Sequence, residues 1–190
     1  MPRWEPDARE RFVAAALELF TDQGYDETTV AQIAERAGLT KSTFFRHFSD
    51  KREVLAAGQE TLSRLLAAGV TAAPAGASPL EAVAAGLDNA SSAMTPFNRE
   101  LGPRLEAVIA TSGELQERAV LKRVGMASAI ADALRDRGVD ESSAFMAAEL
   151  GVLAFKVGFD EWISDDSEQS LGALTSAALH RFRVAMTQLD

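Results

Sequence analysis

Residues 41–52 carry the side chains of this sequence that could do chemistry. Four full cations and a histidine stand there: Lys41, Arg46, His47, Lys51 and Arg52. The single acidic residue among them is Asp50. Cations grouped in this way bind phosphate oxygens, and an arginine can also read guanine through a bidentate contact. The cluster therefore predicts recognition of a nucleic acid, with a merely solvated basic face as the alternative.

The spacing of apolar residues predicts a short helix just before this cluster. Thr29 and Gln32 have the spacing of a capping box, so the helix is expected to begin near Val30. Its apolar positions follow the i, i+3, i+4, i+7 pattern of one helix face: Val30, Ile33, Ala34 and Ala37. Gly38 follows directly, and glycine takes the left-handed conformation that ends helices at little steric cost.

A second short helix is predicted to carry Lys41, Arg46 and His47. Thr40 can cap a helix from Lys41 to about Phe48, with Leu39 and Phe44 turned back toward the preceding helix. Two short helices joined by a glycine-bearing turn form a helix-turn-helix, whose second helix lies in the major groove of DNA.

The same segment resembles the N-terminal signature of TetR-type transcriptional regulators. The matching positions are Thr28, Thr29, Val30, Ile33, Ala34, Ala37, Gly38, Leu39, Thr43, His47, Phe48, Lys51, Glu53 and Leu55. Upstream, an apolar stripe ended by Gly24 is similar to the first helix of that family: Phe12, Ala16, Leu19 and Phe20. The motif covers roughly the first 55 residues. Beyond it, only chain length and an all-helical layout agree.

The resemblance implies that the second helix presents its side chains to DNA. The residues expected to project toward bases or phosphates are Lys41, Ser42, Thr43 and His47. Arg46 is a candidate guanine reader worth about 1–3 kcal/mol, or else a solvated or phosphate-facing charge. Phe45 stands where the family usually has tyrosine, so one hydrogen bond to phosphate is lost. Its ring can still pack against a sugar or a thymine methyl group.

Two flanking residues are expected to contact the phosphate backbone. Lys51, at the start of the next helix, meets the backbone by resemblance. Thr29 could bind a phosphate at the helix N-terminus, act as a plain cap, or do both. His47 is not expected to bind a metal, because the second histidine, His180, lies far along the chain. No metal and no cofactor is predicted.

Composition excludes several classes of function. The 190-residue chain is 47% hydrophobic and has no cysteine, which excludes disulfides, thiolate metal sites and thiol redox sensing. No apolar run approaches the roughly 18 residues of a membrane span, and the N-terminus lacks a signal-peptide core. A cytoplasmic protein without a membrane partner is therefore expected. The common catalytic motifs are absent too, so an enzyme is not expected.

The net charge of −9 is unevenly distributed along the chain. Residues 1–56 carry 8 basic and 10 acidic residues, whereas residues 57–190 carry 11 and 18. The acidity thus lies mostly outside the cationic segment. The same boundary separates the predicted domains, with DNA binding in residues 1–56 and effector binding and dimerisation in residues 57–190.

The rest of the chain is predicted to be a series of amphipathic helices. A long helix opens with the capping-box spacing of Asp50 and Glu53 and reaches Val70. After a linker over residues 71–77, Ser78 caps the next helix.

The apolar pattern predicts helix boundaries less clearly around residues 96–103 than after residue 111. Prolines at positions 96 and 103 break the pattern, so the start of the following helix stays open. Thr111 and Glu114 open a further helix, which closes at Arg137 and Gly138.

Two apolar stripes run along the segment from Asp140 to Trp162. One comprises Phe145, Ala148, Val152, Phe155, Phe159 and Trp162, and the other Met146, Leu150, Leu153 and Val157. The final helix offers a comparable face through Leu171, Leu174, Ala178 and Phe182. A chain of this size has too little other protein to cover both stripes. We therefore predict a homodimer whose interface uses the first stripe and the final helix, with a fully internal core helix as the alternative.

The resemblance further implies a small-molecule effector among the middle helices. The candidate lining residues are Met94, Phe97, Leu101, Leu105, Lys122, Met126, Ile130, Phe155 and Phe159. An apolar stripe of this kind is more often core than pocket. Lys122 could anchor an anionic ligand, extend to solvent, or pair with an acidic residue.

The sequence thus predicts an all-α protein. A three-helix, helix-turn-helix DNA-binding domain is joined by a long helix to a C-terminal ligand-binding and dimerisation domain. The expected function is a ligand-responsive transcriptional regulator, a repressor that binds a palindromic double-stranded DNA operator as a homodimer and is released by a small hydrophobic effector. The alternative is a helical adaptor that acts through protein contacts and carries a degenerate helix-turn-helix.

Overall fold

The computed structural model describes residues 8–56, 59–164 and 168–188, which form ten α-helices and no strand. The helices are α1 (Ala8–Gln23), α2 (Val30–Arg36), α3 (Lys41–His47), α4 (Glu53–Ala56), α5 (Gln59–Ala72), α6 (Pro79–Ser92), α7 (Pro96–Thr111), α8 (Gly113–Asp136), α9 (Glu141–Ile163) and α10 (Leu171–Met186). The predicted all-α fold class is confirmed. Whether the predicted long helix runs unbroken from α4 to α5 lies outside the described residues.

Contacts within the chain divide it into two compact units. The first comprises residues 1–57 and 101–120, and the second residues 58–100 and 121–190. Helices α7 and α8 therefore each contribute residues to both units. The functional boundary at residue 56 stays a prediction, and residues 57 and 58 lie outside the described part of the chain.

Polar caps begin the helices where the sequence predicts them. The Thr29 hydroxyl accepts from the Gln32 amide at the start of α2, and the Thr40 hydroxyl accepts from the Thr43 amide at the start of α3. Ser78 closes a capping box with Glu81 ahead of α6. Each cap satisfies amide groups that a helix N-terminus leaves without internal partners.

Helix α7 continues through Pro103, where the sequence pattern was broken. Proline lacks an amide hydrogen, so one bond of the helical ladder is lost at this position. The preceding residue is Gly102, whose missing side chain relieves the crowding that proline imposes on its neighbour. The sequence left the start of this helix open, and in the structure α7 begins at Pro96 and includes both prolines.

The second unit is built on close approaches between helices. A Cβ added at Gly69 of α5 would lie 2.6 Å from the carbonyl oxygen of Ala85 in α6. A Cβ added at Gly158 of α9 would lie 2.7 Å from the Thr175 amide nitrogen in α10. These glycines let backbones meet at distances that any side chain would prevent. Helices α5, α6, α9 and α10 enclose the main apolar core together with buried residues of α8.

Helix α9 has the length and average apolarity of a membrane-crossing helix, although polar residues interrupt its apolar sequence. Buried residues make up 44% of its most apolar window. They pack against α6 and α10, as expected for a core helix. Among the described residues, this single helix is only weak evidence for a membrane span.

Candidate nucleic-acid interface

Helix α3 is mounted on α1 by aromatic packing. The Phe12 ring centroid lies 5.2 Å from that of Phe44 and 6.0 Å from that of Phe48, both in edge-to-face geometry. All three rings are buried. Because this inner face is fully used, the opposite face of α3 is left to solvent. The exposed residues there are Lys41, Ser42, Phe45, Arg46 and His47.

Phe45 is exposed on this helix, with 56% of its surface accessible. Its ring stands edge-on to buried Phe44 at 5.5 Å. One side of the Phe45 ring therefore packs on Phe44, and the other side is exposed to solvent. Thr43, by contrast, is half-buried, and its hydroxyl lies 2.9 Å from that of Thr40.

The turn between α2 and α3 is secured by an arginine that the sequence analysis missed. Gly38 has φ +65°, in the left-handed region. Arg11 of α1 donates from Nη2 to the Ala37 carbonyl at 2.5 Å, at the C-terminal end of α2. A cation at this end of a helix also favours the helix dipole. No local pattern could have revealed this bond, since 26 residues separate the partners.

Thr29 is engaged as a helix cap. Its hydroxyl accepts from the Gln32 amide at 3.3 Å and lies 2.9 Å from Gln32 Oε1, which also accepts from the Thr29 amide at 2.8 Å. The predicted capping role is therefore present. Its role in binding phosphate stays a prediction.

Lys51 points toward the protein rather than toward solvent. Its ammonium donates to the carbonyl oxygens of Tyr25 at 2.7 Å, Thr28 at 3.0 Å and Asp26 at 3.2 Å. It also lies 4.3 Å from the centroid of the Tyr25 ring. The resemblance implies that Lys51 contacts the DNA backbone, whereas in the structure its ammonium binds carbonyl groups of the loop between α1 and α2.

Arg52 is engaged as well. Its Nε donates to Asp50 Oδ2 at 2.9 Å, and its Nη1 lies 3.4 Å from Glu114 Oε1 at the start of α8. The hydrogen bond from Arg52 holds the pKa of Asp50 below its ordinary value. Asp50 also accepts from the Glu53 amide at 3.0 Å, which caps α4.

Tyr25 lies beneath this cation cluster. Its hydroxyl is buried and has no hydrogen-bond partner among the described residues. Burial, followed by the nearby Glu114 carboxylate, raises the pKa of Tyr25 to about 12. The phenol therefore stays neutral at physiological pH.

The eight predicted DNA-binding residues thus separate into two groups. Five share the outer face of α3, whereas Thr29, Thr43 and Lys51 are bonded to protein partners. Within the described part of the chain, Lys41 and Arg46 form no ion pair. These two cations remain available to an anionic ligand.

The predicted effector residues lie mostly in or beside the core. Leu101, Met126, Ile130 and Phe155 are buried, and the other five are half-buried: Met94, Phe97, Leu105, Lys122 and Phe159. Leu101 and Leu105 belong to the first unit and the remaining seven to the second.

A cavity in the second unit is lined by other residues. It has a volume of about 460 Å³ and lies between the start of α6, the first half of α9 and the second half of α10. Its apolar lining includes Leu80, Met146, Leu150, Leu179 and Met186, and Glu81, His180 and Arg183 contribute charge or polarity. None of the nine predicted effector residues lines it.

The predicted dimer residues are largely covered by their own chain. Seven are buried: Ala148, Val152, Phe155, Trp162, Leu171, Leu174 and Ala178. Phe159 and Phe182 are half-buried, and Phe145 alone among the ten is exposed. The second stripe of α9 is more open, with Met146 and Leu153 exposed. The stripe chosen from the sequence therefore faces the core.

The segment that contains α2 and α3 is similar to known proteins. The profile of bacterial regulatory proteins of the tetR family matches residues 12–57. The HTH-type transcriptional regulator TcmR of Streptomyces glaucescens is 43% identical over 75 residues, which are 40% of this chain and 33% of that protein. The matched segment thus spans about a third of this relative.

Solved structures extend the similarity to the fold of the whole chain. SmeT, the repressor of a Stenotrophomonas maltophilia multidrug efflux pump, in its triclosan complex superposes with a TM-score of 0.57 at 21% identity, over 95% of this chain and 91% of SmeT. Mycobacterium smegmatis AmtR gives 0.53 at 24% identity, over 94% and 87%. At these identities the structures share a fold only. The curated relatives are regulators rather than enzymes, in agreement with the sequence expectation. Residues 12–57 thus match the DNA-binding segment of bacterial regulatory proteins of the tetR family, and the rest of the chain shares the fold of solved members of that family.

Proposed function

We propose that this protein is a DNA-binding transcriptional regulator that reads its operator with the outer face of α3. The observation that carries this proposal is that buried aromatic rings fix α3 on α1, while Lys41, Phe45 and Arg46 of α3 are exposed. A recognition helix needs both, since base contacts depend on a rigid position and phosphate contacts on available cations.

The interface can bind DNA although the chain is acidic. Lys41 and Arg46 meet no carboxylate in the described residues, while many of the acidic side chains lie beyond residue 56. Counterion release at the few phosphates contacted supplies sequence-independent affinity. Few contacts mean modest affinity for one protomer, which favours a dimer.

We propose a homodimer formed through the exposed side of α9 and α10. The large apolar side chains that support it are Phe145, Met146, Leu153 and Val184, with exposed fractions of 55%, 52%, 46% and 43%. The buried stripe first chosen for the interface has little side-chain surface left to offer. A two-fold dimer presents two α3 helices to half-sites about 34 Å apart, or a multiple of that distance, so the operator is palindromic.

We further propose that the protein is a repressor, active in the cytoplasm and released from DNA by a small hydrophobic effector bound in the second unit. SmeT, which shares the fold, is a repressor whose complex with triclosan has been solved. The half-buried residues beside the core, Met94, Phe97, Lys122 and Phe159, are the candidate lining that an effector could reach.

Selection of bound duplexes from a random pool, followed by titration of the selected duplex at several salt concentrations, tests the DNA-binding proposal. We expect a palindromic motif and an affinity that falls steeply with salt. No enrichment, or equal affinity for a scrambled duplex, would refute it. That result would favour the helical adaptor, for which exposed Phe45 would be a protein contact.

A further inference from the structure

Lys51 is the cation of the DNA-binding segment whose surroundings depart furthest from what a phosphate contact requires. A lysine ammonium has three donors and no acceptor. The structure matches them with three carbonyl oxygens, those of Tyr25, Asp26 and Thr28, at 2.7, 3.2 and 3.0 Å. A phosphate oxygen could bind only by displacing one of these carbonyls.

The ring of Tyr25 completes the enclosure. The ammonium nitrogen lies 4.3 Å from the ring centroid, within the range of a cation–π contact. Tyr25 is itself buried against Phe20, with ring centroids 5.1 Å apart. Lys51 is therefore held from two sides, by the loop backbone and by an anchored ring.

The loop that Lys51 holds leads directly into α2. It begins at Gly24, which has φ +88°, and ends at buried Thr28, whose hydroxyl donates to the Gly24 carbonyl at 2.8 Å. The next residue, Thr29, caps α2. Lys51 lies in the turn that follows α3 and binds the loop that precedes α2. It thus links the C-terminal end of α3 to the N-terminal end of α2.

We propose that Lys51 is a positioning residue that fixes α2 relative to α3, and that it is not a phosphate contact. This inference rests on the proposed DNA binding. It predicts that the domain meets phosphate through fewer cations than its sequence contains, with Lys41 and Arg46 in that role. Lys51 acts on DNA only through the geometry of the motif.

The slope of log Kd against log salt concentration separates the two roles. Each phosphate contact contributes about 0.9 to this slope, so losing one from both protomers of a dimer lowers it by about 1.8. For Lys51→Met we expect an unchanged slope and a Kd raised by a similar factor, about tenfold, at every salt concentration. The matched variant Lys41→Met should lower the slope and leave thermal stability unchanged.

Lys51→Arg provides the second arm and keeps the charge. A planar guanidinium cannot reproduce three converging bonds from one nitrogen. We expect Lys51→Arg to lose nearly as much affinity as Lys51→Met. The proposal thus stays testable if Lys51→Met is partly unfolded. Wild-type affinity for Lys51→Arg, or a slope lowered by about 1.8 for Lys51→Met, would overturn the proposal.

A readout without DNA distinguishes positioning from a general loss of stability. The chain has a single tyrosine, so isotope-labelled tyrosine gives one NMR probe at this site. At a temperature where each variant is fully folded, Lys51→Met and Lys51→Arg should shift the Tyr25 ring signals and speed hydrogen exchange over residues 24–30. Lys41→Met should do neither. Unchanged Tyr25 signals in both Lys51 variants would contradict the proposal, whereas failure of the wild type to bind any duplex would refute the proposed function instead.

Discussion

Lys41 and Arg46 differ from Lys51 and Arg52 in what already surrounds them. The first pair stands on an open helix face, whereas the second pair is bonded to backbone carbonyls and carboxylates of its own domain. The hydrogen bonds of Lys51 and the ion pair of Arg52 must be broken before either cation can bind a ligand. The four cations are equivalent in the sequence but not in their availability to DNA.

Arg46→Ala tests base reading at this scale. If the guanidinium makes a bidentate contact to guanine, its loss costs about 1–3 kcal/mol for each half-site and relaxes selection at one position of the motif. Repeating the duplex selection with the variant measures this. An unchanged motif with a uniformly weaker affinity would instead assign Arg46 to phosphate.

Gly38→Ala tests the turn of the motif. Alanine at φ +65° is strained, and its Cβ would stand 2.9 Å from Arg11 Nη2, so the Arg11 bond to α2 must shift. We expect a loss of about 1–2 kcal/mol in unfolding free energy and weaker DNA binding.

Gly24→Ala is the matched control for the turn. Gly24 has φ +88°, but an added Cβ would meet nothing within 4 Å. It should incur the backbone cost alone and leave the Arg11 bond intact. Urea unfolding of both variants gives the comparison, and equal losses would remove the role assigned to Arg11.

Local polar chemistry was readable from the sequence, but distant partners were not. Caps such as Thr29 and Thr40 act on residues three positions away, so their spacing alone reveals them. The partners of Lys51 are 23 to 26 residues away, and those of Arg11 lie at a similar distance. Only the folded domain brings these groups together.

At the scale of helices, the junction of α9 and α10 depends on an absent side chain. In Gly158→Ala, the new Cβ would lie 2.7 Å from the Thr175 amide nitrogen and 2.8 Å from its Cα, which are backbone atoms that cannot turn aside. The helices must separate, and we expect a loss of about 1–3 kcal/mol. Gly113→Ala, at the start of α8 with nothing within 4 Å, should be neutral or slightly stabilising. Equal effects of the two changes would contradict this account.

Helix α8 carries a lysine on its core-facing stripe. Lys122 stands one turn before buried Met126 and two turns before buried Ile130, and burial lowers its pKa from the ordinary value. Within the described residues no carboxylate pairs with it. Replacing an unpaired, half-buried cation by a flexible apolar side chain should raise stability, so we expect Lys122→Met to gain about 1 kcal/mol at neutral pH.

This gain should shrink in alkali. Between the lowered pKa in the folded protein and the ordinary value near 10.5, the unfolded chain binds more protons than the folded one. Wild-type stability therefore rises with pH across that window and approaches the stability of the variant. Thermal melts of both proteins from neutral pH to about pH 10 measure the difference. Lys156→Met, which removes an exposed partner of Asp160, should show no such convergence.

The helices themselves were predictable because periodicity and caps are local, but the orientation of α9 was not. Its two stripes are similarly apolar, so hydrophobic spacing alone does not tell which one faces the core. The contact at Gly158 decides, since it turns the side with Val152 and Phe155 inward and leaves Leu153 outside. The same ambiguity assigned the dimer residues to the buried stripe.

At the scale of the whole molecule, the proposed dimer is open to a direct test. Leu153→Glu places a charge in the exposed stripe of α9, where it would be desolvated at an interface. We expect the variant to sediment as a species of 20.3 kDa and the wild type as twice that mass. Val124→Glu is the control, since Val124 is comparably exposed but lies on α8. A wild type that stays monomeric at all concentrations would rule out the dimer.

The division of the chain also bears on protein engineering. Residues 101–120 belong to the compact unit that contains the helix-turn-helix, and Arg52 reaches Glu114 within it. The backbone therefore passes between units three times, after residues 57, 100 and 120. A chimera that transplants only the first 57 residues onto another regulator would leave behind part of its own unit. A working chimera needs three junctions, and residues 101–120 have to be transplanted together with residues 1–57.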